Sequence, residues 1–185
     1  MDETCGVPPN HSTAQLITTP SESDIYKIIG QWLLQFLPSG FEVLQGQLNR
    51  VPSPLTSYVT MVIILRSRLA TNGSDYTATE RSITQPTILT MQISAFGQGA
   101  SDAIHLISTL WRDNYATEFI GGLTDRISPL YASDPRQVTY VNEQSNYEDM
   151  WTIDLKMQVN FTVTIPNGSA DKVTLTVIEA DQPHS

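Results

Sequence analysis

Ser101, Asp102 and His105 supply the three residue types of a nucleophile–base–orienter relay. Their spacing decides against it. All three fall on one turn of a predicted helix, where the side chains cannot form the line that acyl transfer needs. Helix capping by Ser101 or Asp102, beside a partly exposed His105, accounts for them better. Gly97-Gln98-Gly99 lies between a predicted strand and that helix, the context of a phosphate-cradling turn. The third glycine is missing and no second βαβ unit follows, so the segment reads as a plain strand-to-helix turn. Glu143, Glu148 and Asp149 offer carboxylates for acid–base work, but nothing in the sequence supplies an apolar pocket to separate their pKa values. They read as an acidic loop, either solvated or paired with a neighbouring subunit. The three histidines and Cys5 show no metal-ligand spacing. No enzyme activity, cofactor or metal is expected. Arg50 stands in Asn49-Arg50-Val51-Pro52-Ser53-Pro54, a segment stiffened by two prolines. It is either held to meet a carboxylate across an interface or an ordinary surface arginine.

The elements that must carry these residues belong to one domain, because 185 residues bury a real core without staples. A single cysteine excludes an internal disulfide and suits cytosolic folding. The N-terminus is acidic and polar, unlike a secretion signal. No run of about 18 apolar residues suggests a membrane span. Ten Lys and Arg stand against nineteen Asp and Glu, a net charge of -9. A protein that grips nucleic acid through its phosphates offers a basic face, and the only local basic pair at strand spacing is Arg66 and Arg68. Tight general DNA binding is not expected.

Residues 1–22, rich in Pro, Ser, Thr and Asn, read as a flexible N-terminal arm. A first helix is predicted from Ser23 or Asp24, with Ile25, Ile28, Ile29, Trp32, Leu33 and Phe36 on one face and Pro38-Ser39-Gly40 as its stop. Residues 41–47 read as extended. Residues 58–69 read as a strand with Val59, Met61, Ile63 and Leu65 on one side and its first half covered on both. Asn72-Gly73 signals a turn, and residues 75–86 fit a loop or the outer part of a hairpin. Thr87–Ala95 alternates as a strand. A second helix, with Ala103, Ile104, Ile107, Leu110 and Trp111 inward, frays near Tyr115–Phe119 and ends at Gly121-Gly122. Residues 123–135 read as loop and 137–142 as a short strand. The tally is an α+β domain over residues 23–178, an antiparallel-dominated sheet with two helices on one face, followed by a polar tail at 179–185.

One stretch dominates this layout. From Trp151 to Ile165 apolar and polar residues alternate without exception. Fifteen residues at ~3.3 Å each reach roughly 50 Å, about three times a typical strand. The Trp151 half is expected in the core. The half with Phe161, Val163 and Ile165 is expected to reach beyond it as a long C-terminal hairpin, turning at Pro166–Asp171 and returning to Val177.

The order of motifs resembles the tail terminator, or neck terminator, proteins of long-tailed bacteriophages. The motifs are Gln47-x-Asn49-Arg50-Val51-Pro52-x-Pro54, Met91–Gly97 leading into Ala100-x-Asp102-Ala103, Pro129-Leu130-Tyr131, Asp134–Gln137 and Asn142-Glu143-x-x-x-Tyr147-Glu148. The resemblance covers roughly residues 23–178. It implies a structural virion protein, made in the host bacterial cytoplasm and placed in the tail–neck region. Such a subunit assembles as a homo-oligomeric, hexameric ring on the tail tube protein. The ring stops tube growth and docks to the head–tail connector and neck proteins. In contractile tails it also meets the tail sheath. DNA passes through such a ring without specific binding, which an acidic lining would favour. Subunit-interface contacts are expected at Asn49, Arg50, Val51 and Pro52, at Tyr147, Glu148 and Asp149, and at Phe161, Val163 and Ile165. Two rival classes are a β-rich receptor- or carbohydrate-binding module of a phage tail, with Trp111, Trp151, Tyr131, Tyr140 and Tyr147 stacking on sugars, and a hydrolase using Ser101 or a carboxylate pair.

Overall fold

The computed structural model describes residues 16–46, 54, 56–141 and 147–166, with the side chains of residues 140, 141, 147 and 148 left aside. The described chain runs β1 (Thr18–Thr19), α1 (Glu22–Leu33), β2 (Glu42–Gln45), β3 (Tyr58–Arg68), β4 (Gly73–Tyr76), β5 (Glu80–Phe96), α2 (Ala100–Trp111), α3 (Asn114–Leu123), β6 (Ile127–Ala132), β7 (Arg136–Val141) and β8 (Tyr147–Pro166). All eight strands join one sheet, ordered β1-β8-β5-β3-β2, with β4 on β5 and both β6 and β7 on β8. Only the β2–β3 pair is parallel. The α+β class and the antiparallel dominance expected from the sequence are both present.

β5 and β8 form the spine. They pair antiparallel from Phe96↔Met150 to Glu80↔Pro166. Period-two alternation sets their faces. Leu89, Met91 and Ile93 lie opposite Met157, Leu155 and Ile153, and all six are fully buried. Ile25, Ile29, Trp32 and Leu33 of α1 and Ala103, Ile104, Ile107 and Trp111 of α2 close over this layer. Trp32 and Trp111 meet edge to face at 5.1 Å, and the Trp111 indole N–H donates to the Lys156 carbonyl at 3.3 Å. The opposite face of the spine is hydroxylic and charged. There Thr84 and Thr162 face each other at 3.1 Å, and the Gln92 amide donates to Asp154 at 3.3 Å.

Several expectations are corrected. Helix α1 starts one turn earlier in its capping. Ser21 is the N-cap, its hydroxyl accepts from the Asp24 N–H at 3.2 Å, and Asp24 completes a capping box rather than acting as the cap. Thr18–Thr19, inside the segment read as an arm, pairs with Val163 and Thr162 of β8. The region expected to fray is a third helix, α3. Asp113 caps it by accepting from the Tyr115 N–H at 2.9 Å, and Gly121 and Gly122 lie inside it. Helix α2 takes Gly99, at φ +83°, as its N-cap with no side-chain cap, so neither Ser101 nor Asp102 caps it. Residues 127–132, read as loop, are strand β6, with a register shift between Pro129 and Tyr131.

Strand β3 departs from its expected face for a definite reason. Its register shifts between Ile63 and Leu65, where the partner moves only from Met91 to Thr90. The extra residue is a bulge, and it reverses the alternation beyond it. Val59, Met61 and Ile63 face the helices; Leu65 does not, and Arg66 and Arg68 take the helix side instead. Strand β5 extends seven residues upstream of Thr87, through Pro86 (87 − 80 = 7). Pro86 falls between the ladder to β3, which ends at Arg68↔Thr87, and the ladder to β4, which begins at Gly73↔Thr84. Its carbonyl accepts from the Leu69 N–H at 3.0 Å, so its missing donor points into that gap and costs no ladder bond. Residues 75–86 are thus the outer part of a hairpin. The turn after Pro166 and the return to Val177 lie outside the described residues.

Candidate assembly surface

The residues weighed for chemistry around α2 lie apart from any enclosed site. Ser101, Asp102 and His105 are all exposed on the helix. Gly97 and Gly99, at φ +84° and +83°, make the strand-to-helix turn. The Ser57 hydroxyl donates to the Gln98 carbonyl at 2.9 Å, and a Cβ on Gly97 would come within 3.3 Å of the Ser57 Cα. The turn is packed from below and opens onto a shallow depression of about 630 Å³, whose carboxylate, Asp102, is exposed. No cluster of His, Cys, Asp and Glu among the described residues could hold a metal ion. The sugar-stacking set also separates. Trp111 is 2% exposed and inside the core, while Tyr131 lies at the surface under the Arg112 guanidinium.

What the sheet does assemble is a surface. Core burial on β8 stops at Val159, and on β5 it starts at Thr87. Beyond these residues the spine continues for roughly 20 Å at ~3.3 Å per residue. Phe161, Val163 and Ile165 stay on the helix-side face of this distal sheet but are only half-buried. The bulge in β3 turns Arg66 and Arg68 onto the same face, and Arg81 joins them opposite Ile165. The Arg66 guanidinium stands 5.5 Å from the centre of the Phe161 ring and pairs with Glu22 at the start of α1. The Arg68 Nε donates to the Ala70 carbonyl at 3.0 Å, and its Nη2 donates to Asn72 at 2.9 Å. Arg81 covers the Tyr76 ring at 5.2 Å and donates to Ser74 at 3.1 Å. A cleft of about 270 Å³ runs among Arg66, Arg68, Phe161 and Val163, with Thr18 and Thr87 at its margins.

Large apolar side chains on and beside β1, β3 and β4 remain in solvent, some of them, Leu65 included, on the face of the sheet behind this cleft. They are Leu16, Ile17, Ile64, Leu65, Leu69 and Tyr76, and their exposure runs from 48% to 65%. That concentration on one extension is the mark of an interaction surface.

The predicted interface residues separate into groups. Phe161, Val163 and Ile165 belong to the distal sheet. Tyr147, Glu148 and Asp149 open β8 at its far end, opposite Val141, Tyr140 and Thr139. Asp149 is exposed, and its carbonyl accepts from the Gly97 N–H at 3.0 Å, which ties this end to the turn before α2. Roughly 40 Å of strand, from Asp149 to Phe161, separates the two groups. Asn49, Arg50, Val51 and Pro52 lie outside the described residues. The sequence reading missed Arg81, Tyr76 and the apolar rim. Its one usable signal was the Arg66/Arg68 spacing, weighed there only against nucleic acid.

No helix among the described residues is long and apolar enough to cross a membrane. No curated protein matches the chain. Over residues 23–181, however, it matches the family model described as the phage neck terminator protein, and it belongs to that family of structural virion proteins of the tail–neck region, which interact with other phage tail and neck proteins.

Proposed function

We propose that the chain forms a hexameric ring that caps the phage tail tube and joins the tail to the head-side connector, without catalysing a reaction. The distal sheet carries this reading. A lone subunit gains nothing from extending its spine roughly 20 Å past its core with an exposed apolar rim. A neighbour in a ring would cover that rim. Membership of the neck terminator family agrees with it. Asn49 to Pro52, Tyr147 to Asp149 and Phe161 to Ile165 are the proposed contacts between subunits and with the tube, the connector and, in contractile tails, the sheath. With a net charge of -9, such a ring would let DNA slide through without holding it.

Electron micrographs of particles from a phage lacking this gene test the reading. The expected result is tails of uncontrolled length, unattached to heads. Normal virions would overturn it.

A further inference from the structure

The distribution of charge about the fold points to how two subunits meet. Among the described residues, neither Arg68 nor Arg81 is in an ion pair. Both stand on the helix-side face of the distal sheet, in a chain with nearly twice as many acids as bases. Helix α3, on the body of the subunit, is their opposite in sign. It carries no Lys or Arg, and Asp113, Glu118 and Asp125 stand at its start, middle and end. It is also poorly covered by its own subunit, since of its ten residues only Ala116 and Ile120 are buried. Tyr115 and Leu123 are exposed beside these acids, and nothing lies within 4 Å of the Cβ positions of Gly121 and Gly122. This surface is exposed, carries three acids and is partly apolar; of the two arginines that flank it, Arg112 is paired with Asp134 and Arg126 donates to the Thr162 hydroxyl at 2.7 Å.

We propose that the arginine-bearing distal sheet of one subunit docks on the α3 face of a second copy, with Arg68 and Arg81 meeting Glu118 and Asp125. The two patches lie on different elements of one chain. A two-fold contact of like patch with like patch would therefore set arginine against arginine. Contact between unlike patches sets arginine against carboxylate, and made head to tail, as the ring reading requires, it is the contact type that closes rings. Desolvating Phe161, Val163, Ile165 and Tyr76, which share the face of the arginines, against Tyr115 and Leu123 supplies the attraction; the charges fix partner and orientation. The inference rests on the ring reading and adds its interface.

Sedimentation velocity of the full chain over a range of concentrations tests it with two variants. One is Arg68→Glu with Arg81→Glu; the other is Glu118→Lys with Asp125→Lys. Each alone should self-associate at least tenfold more weakly than the parent chain. An equimolar mixture should recover assembly, because every junction in an alternating ring then pairs a basic with an acidic patch. Recovery also proves that both variants fold. If both keep the parent's circular dichroism but the single variants assemble normally, or the mixture fails to recover, the docking is wrong and the ring reading stands. A parent chain that stays monomeric alone and with purified tail tube overturns both. DNA retention lost in the arginine variant, with assembly unchanged, would assign the patch to nucleic acid and overturn the docking.

Discussion

The two halves of β8 have the same alternation and opposite fates. Ile153, Leu155, Met157 and Val159 are fully buried; Phe161, Val163 and Ile165, two residues apart on the same face, are half-buried. The backbone does not distinguish them, since β5 pairs with both halves without a break. What differs is the layer above. Helices α1 and α2 close over the first half, while arginines and a narrow cleft stand over the second. A period-two pattern therefore says that one face leaves water, and says nothing about which molecule covers it. In the single chain the second half is the one that keeps this face partly in water.

Substitution can break this comparison. Trp111→Ala in the body should have the largest effect. It empties a site 2% exposed, loses the edge-to-face contact with Trp32 and removes the donor to the Lys156 carbonyl. A loss of about 3–5 kcal/mol is expected in urea unfolding. Phe161→Ala in the distal half should cost the lone subunit only about 1–2 kcal/mol, because the ring is already half in water. Its larger effect should fall on self-association, read by light scattering. Equal losses of subunit stability from the two variants would mean that the distal half belongs to the folding core, and the distinction would fail.

The sequence disclosed the layer that local pattern controls. The alternation at 151–165 and the helical faces of α1 and α2 follow from period, and both are present in the fold; the Asn72-Gly73 turn signal is not, since Gly73 opens strand β4 and the chain reverses between Tyr76 and Glu80, where the Thr77 N–H donates to the Glu80 carbonyl at 2.8 Å. Three features escaped because their causes are not local. Residues 75–86 fitted loop as well as hairpin, yet strand β5 runs from Glu80 through Pro86, where β3 hands over to β4. The bulge before Leu65 moved Arg66 and Arg68 to the helix side, and one added residue suffices to reverse a face. Helix α3 carried two glycines that weaken its propensity, and its start signal, Asp113, stood only two residues after the end of α2. The candidate surface was legible in part. Phe161, Val163 and Ile165 were readable from strand length, whereas Arg81 and Tyr76 became part of it only through pairing of β4 with β5.

The smallest expected effect sharpens the seam between the halves. Glu22, in the first turn of α1, pairs with Arg66 of the distal sheet, so the start of this helix links the two regions. Asp24 helps hold that start. Its carboxyl sits below the ordinary value of 3.8, first because the Ser21 hydroxyl donates to it at 2.6 Å, then because the Ser21 N–H does so at 3.1 Å. Burial opposes the shift, and Lys27 at 3.9 Å adds a smaller lowering. A carboxyl depressed in the folded state stabilises fully above its unfolded value and loses that contribution as pH falls through the lower folded value. Asp24→Asn has no such proton to gain. The difference in urea midpoint between about pH 6 and about pH 2.5 should therefore be slightly smaller in the variant than in the parent chain. The same titration should loosen the contact between α1 and Arg66, so hydrogen exchange at the first turn of α1 should rise at low pH in the parent more than in the variant. Identical pH responses in the two proteins would remove Asp24 from the seam and leave the Glu22–Arg66 pair as its described polar link.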